Sequence, residues 1–161
     1  MSDVYGELAQ LGSATVYEAS GRRGFVDADL IQVIPRSRAA GPARTVLCAQ
    51  DDNLTVHAAM AGVQPGEVLA PCMPEPRPVA LIGELLATQA KAHGAAAILV
   101  DAAVRDRDEL VEVGLPVWAR WFGCGGRSRN GRGRSANRSG SAARRSVQAT
   151  RSCSTATGRR L

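Results

Sequence analysis

The sequence predicts an α/β domain, and three observations predict it. Between residues 67 and 119, short runs of β-branched and aliphatic residues alternate with segments at helical spacing, in the order strand, helix, strand, helix, strand. That alternation builds parallel α/β units. One of the runs, 95–100, is apolar without interruption and reads as a buried strand. The stretch that carries the pattern is rich in Ala, Val and Leu, and about 120 residues suffice for one core.

The charge of the chain divides at the same place. Its 161 residues carry +5 overall, but residues 1–121 hold 10 Arg and Lys against 15 Asp and Glu, which is −5, whereas 122–161 hold 10 Arg and no acid, which is +10. The second part also contains 7 Gly and 7 Ser. It has too few large apolar residues for burial to offset the entropy of ordering them. The expected organisation is therefore a folded domain over 1–121 and a disordered Arg/Gly/Ser-rich tail over 122–161.

The elements follow in order. Residues 6–20 predict one or two short helices: Leu8 and Leu11 share a face, Ser13 can cap a second helix, and Gly21 supplies a left-handed stop. Gly21–Gly24 is a turn. Leu30–Ile34 is extended up to Pro35, and Thr45–Ala49 is a second strand. From Asp52 the spacing of Leu54, His57, Ala58 and Ala61 is helical, with Asp52 or Asn53 as cap and Gly62 as terminator. Pro65-Gly66 turns the chain into a strand at Glu67–Ala70, and the four prolines of 71–78 predict a loop. A longer helix spans Gly83–Ala92, closed by Gly94; Ala95–Val100 is the buried strand, Asp106–Val113 is helical, and Leu115–Ala119 is extended.

Several function classes drop out. No apolar run reaches the roughly 18–20 residues of a membrane span, and the N-terminus lacks the basic-then-apolar layout of a signal peptide, so a cytoplasmic protein is expected. The four cysteines show neither CxxC pairing nor His-rich spacing, so neither a zinc site nor a disulfide framework is indicated; Cys48, inside TVLCAQ, reads as a buried reduced thiol. Arginines alone would let the tail adhere to RNA in a salt-sensitive way. Phe122 is its one aromatic residue, so base stacking has almost no platform, and no selected nucleic-acid partner is expected.

Ligands of parallel α/β sheets sit beyond the carboxyl ends of strands and at helix N-termini, where backbone amides lack partners. Gly83-Glu84-Leu85-Leu86 opens the longer helix, and Asp101–Asp106 leaves the buried strand. On their own, Arg105 and Asp106 read more readily as a solvated pair at a helix start than as ligands, and Glu84 as a partner of the helix dipole. His57 reads as a core or interface histidine. Arg22 and Arg23 are solvated or interfacial turn residues.

In combination the segments are more specific. TVYEASGRRG (15–24), AGPARTV (40–46), DNLTVHAAMAGVQPGEVL (52–69), GELLATQAKAHGAAAILVD (83–101), AAVRDRDEL (102–110) and GLPVWAR (114–120) resemble the class II 4-hydroxy-4-methyl-2-oxoglutarate aldolases, which share their fold with regulator of ribonuclease activity A. The resemblance covers nearly all of 8–121. It implies a layered β/β/α fold of the swivelling-domain type with parallel α/β units, here with the C-terminal strands missing. It also implies a lyase that uses a divalent metal, Mg²⁺ or Mn²⁺, to cleave 4-hydroxy-4-methyl-2-oxoglutarate into two pyruvates. Oxaloacetate decarboxylation is the implied side activity, and both reactions pass through pyruvate enolate. Carried onto this chain, Gly83, Glu84, Leu85, Leu86 and Arg105 bind the small 2-oxo acid, Glu84 and Arg105 are catalytic, and Asp106 is the metal carboxylate. Assembly as a homotrimer or hexamer is implied too. The alternatives are a non-catalytic regulator that binds a ribonuclease and an inactive truncated family member.

Two departures stand out. Ala102 occupies a place where the family usually has Gly, and PCMPEPRP follows Leu69 in place of the usual strand. The tail also lacks the P-V-x-V-x-G-x-x-V-x-P-G-D and D-x-D-G patterns of related chains. Back-translation, reading the last base of each codon with the next two, permits R-V-R-G at Phe122–Gly126, P-V at Asn137–Ser139, P-G-D at Val147–Thr150 and D-G-D-G at Ser154–Gly158. The hypothesis is a change of reading frame near Trp121–Cys124. Resequencing codons 118–126 tests it, and an intact frame that encodes this tail would sink it.

Overall fold

The computed structural model describes residues 3–125 and the backbone of 134–136. Two short helices open the chain, α1 (Val4–Leu11) and α2 (Ser13–Ala19). The Asp3 side chain caps α1 by accepting from the Gly6 amide at 3.0 Å. Ser13 is the first residue of α2 and not its cap; Gly12, at φ 83°, takes that position and turns the chain between the helices. Neither helix buries a residue.

The sheet is built from β1 (Ile31–Gln32), β2 (Ala43–Leu47), β3 (Val68–Cys72), β4 (Ala80–Ile82), β5 (Ala97–Val104), β6 (Val117–Phe122) and β7 (Arg134–Ala136). Helices α3 (Leu54–Met60), α4 (Glu84–Ala92) and α5 (Arg107–Val113) connect them. The strand order is β1-β6-β5-β3-β2-β7, with β4 also paired to β5. The pairs β2–β3, β3–β5, β4–β5 and β5–β6 are parallel, while β1 and β7 run antiparallel at the two edges.

Packing follows from the apolar pattern. Val46, Leu69, Ile98, Val100, Ala102, Val104, Val117 and Ala119 form one core with Val56, Ala59 and Met60 of α3, Leu86, Ala87 and Ala90 of α4, and Leu110 of α5. Small residues on α4 let its backbone approach the sheet. The Ala102 methyl is fully enclosed in that core, so the sheet accommodates it without a glycine. Cys48 is a buried free thiol, as expected; burial, with the Asp52 carboxylate beside it, pushes its pKa up to about 12.

Four expectations are corrected. Strand β3 runs through Pro71 into Cys72, so the loop begins later than the prolines predict. Pairing of β3 to β5 lapses at 70 and 71 and resumes at Cys72↔Asp101, where a missing N–H costs least. Strand β5 continues to Val104, which places Asp101 inside the sheet and not in the following loop. Strand β4 was not expected, because three residues after a proline-rich loop show no periodicity. Strand β1 is only two residues long. Beyond the boundary expected at residue 121, Phe122 closes β6, Gly125 bridges to Val79, and the 134–136 backbone pairs with β2. The rest of the expected tail, 126–133 and 137–161, lies outside the described residues.

One buried ion pair ties the fold together. Arg44 of β2 donates to Glu67 through Nε at 2.6 Å and Nη2 at 3.3 Å, and the Gln64 amide donates to the same carboxylate at 2.9 Å. Gly41 lies where a Cβ would overlap the Gly66 carbonyl oxygen, so the approach of these two segments requires glycine.

Candidate active site

The site is assembled where β4 replaces β3 as the neighbour of β5. The register sets Ile82 beside Val104, so Gly83 and Arg105 leave the sheet next to each other. The Arg105 amide donates to the Ile82 carbonyl at 3.1 Å and fixes that exit. Gly83 caps α4 in extended backbone, at φ −141°. A Cβ there would overlap Asp106 Oδ2 and stand 2.9 Å from Arg105 Nε. Gly83 is therefore the gap into which both side chains fit.

Asp106 caps α5 in a left-handed conformation, φ 58° and ψ 53°. A non-glycine residue in that region stores backbone strain, which commonly accompanies functional positions. Its carboxylate reaches across to α4: Oδ2 accepts from the Glu84 amide at 3.1 Å and lies 3.3 Å from Arg105 Nε. Arg105 and Asp106 are both partly exposed. The amides of Leu85 and Leu86, next along the helix, have no acceptor among the described residues. They add the positive end of α4 to the Arg105 charge. Leu85 is exposed and Leu86 is packed in the core.

Five of the six residues singled out from the sequence, Gly83, Glu84, Leu85, Arg105 and Asp106, thus meet at one mouth, and Leu86 anchors the helix beneath it. Glu84 contributes its amide to the contact with Asp106, while its carboxylate accepts from Thr88 Oγ1 at 2.9 Å on the flank of α4. His57 is half-buried on α3. The expected cap of α3 is shared: Asp52 Oδ1 accepts from the Leu54 amide at 2.7 Å, whereas Asn53 donates from Nδ2 to the Leu81 carbonyl at 3.2 Å. Asn53 is thereby a buried tie between α3 and the strand that delivers Gly83. The spacing of residues in DNLTVH signals a cap and does not reveal that reach.

Two further features lie at the neighbouring strand. Asp101 of β5 and Arg120 of β6 form a partly buried ion pair between neighbouring strands, and the Arg120 guanidinium lies 5.8 Å from the Trp121 ring centroid. The Arg107 guanidinium lies 5.3 Å from the ring centroid of Phe122.

The donor set bears on a metal. No group of three His, Cys, Asp or Glu side chains able to hold an ion occurs among the described residues. Asp106 offers one carboxylate whose Oδ1 has no protein partner among them. A single carboxylate fits a cation such as Mg²⁺, which keeps several waters and is completed by substrate oxygens.

A sequence model of the RraA-like family, described as Aldolase/RraA, matches residues 13–149. The chain belongs to that family. A Halalkalibacterium halodurans protein, provisionally named a 4-hydroxy-4-methyl-2-oxoglutarate aldolase, is 36% identical over 80 residues. That match spans 50% of this RraA-like chain and 38% of the relative. Among solved structures, the RNA-processing inhibitor RraA from Thermus thermophilis superposes with a TM-score of 0.60 at 25% identity, covering 84% of this chain and 77% of that one. A Geobacillus kaustophilus protein described as S-adenosylmethionine:2-dimethylmenaquinone methyltransferase gives a TM-score of 0.65 at 24% identity, covering 77% and 78%. At that identity the likeness establishes the RraA-like fold alone. No helix among the described residues is long and apolar enough to cross a membrane.

Proposed function

We propose that this RraA-like chain cleaves 4-hydroxy-4-methyl-2-oxoglutarate into two pyruvates and decarboxylates oxaloacetate as a second activity. The observation that carries the reading is the convergence of Arg105, Asp106 and the N-terminus of α4 on the space that Gly83 leaves open. A 2-oxo acid presents a carboxylate beside a ketone. Arg105 binds the carboxylate, by two parallel hydrogen bonds where the guanidinium lies flat against it. The amides of Leu85 and Leu86 face the ketone oxygen, where negative charge develops. A divalent cation held by Asp106, Mg²⁺ or Mn²⁺, supplies Lewis-acid polarisation of that ketone when bound.

In the aldol cleavage, Glu84 takes the proton of the C4 hydroxyl, directly or through a water, after exchanging its bond to Thr88. The C3–C4 bond breaks, its electron pair passes to the C2 ketone as pyruvate enolate, and C4 becomes the ketone of the other pyruvate. The proton returned to the enolate carbon completes the second product. Oxaloacetate reaches the same enolate by loss of carbon dioxide from C4. In both cases the chain stabilises charge that appears only during the reaction, which raises kcat and not merely affinity.

The test is pyruvate release from each substrate in a lactate dehydrogenase-coupled assay with Mg²⁺ or Mn²⁺ present. Arg105→Ala is expected to lower kcat/KM by about a hundredfold or more, because a charge-assisted bidentate contact is lost. Release from neither substrate by the folded protein would remove the lyase reading. The second reading would then stand: a non-catalytic regulator that binds a ribonuclease, supported by the likeness to the Thermus inhibitor. Inhibition of a purified ribonuclease by the chain separates the two. Assembly as a trimer or hexamer belongs to the same proposal.

A further inference from the structure

Two positions beyond Arg105 the chain carries a second arginine, Arg107, at the start of α5. Three strands end in a row there: Ile82 of β4 is in register with Val104 of β5, and Val104 with Phe122 of β6. Gly83 and α4 lie on the β4 side of Arg105. Arg107 and Phe122 lie on the β6 side, and nothing in the reaction described above uses them.

Arg107 is exposed, and no Asp or Glu forms an ion pair with it among the described residues. It is not free to sweep the surface, because its guanidinium lies over the Phe122 ring at 5.3 Å. The ring, 38% exposed, forms a shelf against which the guanidinium rests. A charge already placed loses less entropy when an anion binds. One residue, Asp106, separates Arg107 from Arg105, a span of about 7 Å at most between Cα atoms. Dicarboxylic 2-oxo acids of four or five carbons place two carboxylates at their ends. The arrangement therefore offers one arginine to each end.

We propose that Arg107, braced on Phe122, binds the distal carboxylate and makes the site selective for dicarboxylic over monocarboxylic 2-oxo acids. The proposal rests on the reading of Arg105 and α4 as a 2-oxo acid site. It makes Arg107 a specificity residue with no part in bond breaking.

Titration calorimetry on the full chain with Mg²⁺ present tests it, with 2-oxoglutarate as the dicarboxylate and pyruvate as the monocarboxylate. The wild-type protein is expected to bind 2-oxoglutarate more tightly than pyruvate. Arg107→Gln should reduce that preference by about tenfold, the loss of one charge-assisted contact, and leave pyruvate binding within about twofold. Phe122→Leu should produce a smaller loss in the same direction, because the guanidinium remains but its shelf is gone. An unchanged ratio in Arg107→Gln, or an equal loss for both ligands, overturns the proposal while the oxo-acid site stands. Failure of the wild-type protein to bind either ligand removes the oxo-acid reading and this proposal with it.

Discussion

Asp106→Ala is expected to lower pyruvate release by about 10²–10³-fold, with most of the loss in kcat. The carboxylate has two tasks that no neighbouring group among the described residues can assume. Its Oδ2 ties the start of α4 to the start of α5 through the Glu84 amide, and it holds the Arg105 guanidinium at 3.3 Å. In the proposed reaction its other oxygen is the one that would hold the cation. Gly83→Ala should be nearly as damaging, about a hundredfold, by displacement and not by loss of a group. The added methyl meets the ends of two side chains, Asp106 and Arg105, which can give way, and the extended backbone of Gly83 accepts alanine. The protein should therefore fold with its site pushed open. Steady-state kinetics with a thermal unfolding curve for each variant checks both statements. Normal rates in Gly83→Ala would show that the close approach of these groups is dispensable.

The largest effect on stability is expected at Glu67. Arg44 and Glu67 are 5% and 7% exposed, so removal of one partner leaves the other charge buried without compensation. Glu67→Ala should cost about 3–5 kcal/mol, a large share of the roughly 5–15 kcal/mol that holds a domain folded. The Gln64 amide loses its acceptor in the same variant. Replacement of both partners, Arg44→Met with Glu67→Leu, should restore most of the loss, since the cost arises from an orphaned charge. Urea unfolding of the wild-type protein and the two variants decides it. Equal destabilisation by the single and double changes would show that the pair contributes as a specific contact and not by avoiding an unpaired charge.

Much of this architecture is legible before any coordinates, for identifiable reasons. Helical spacing placed α3, α4 and α5 to within one or two residues, and Gly94, the expected terminator of α4, adopts a positive φ that other residues resist. The uninterrupted apolar run of 95–100 identified the central strand, since only burial on both faces tolerates it. Failures arose where local sequence carries no period. Strand β4 exists because β5 offers it an edge, and Pro71 is tolerated because the ladder to β5 skips that position.

The candidate site divides in the same way. Two segments were legible as places that collect ligands, Gly83 to Leu86 at a helix start and Asp101 to Asp106 after a strand, while the roles given to Arg105 and Asp106 came from the family resemblance. Which atoms meet was not legible there. That Glu84 presents its amide to Asp106, that Asn53 reaches Leu81, and that Arg107 rests on Phe122 are all consequences of register between segments from about 15 to 30 residues apart. By itself the sequence determined the α/β class, the central strand and the segments where a ligand could collect, because propensity, periodicity and charge are local properties. Only the tertiary structure decided their mutual geometry. A hydrogen bond or a close approach depends on two backbones brought together by the sheet, and no single segment encodes where its partner will stand.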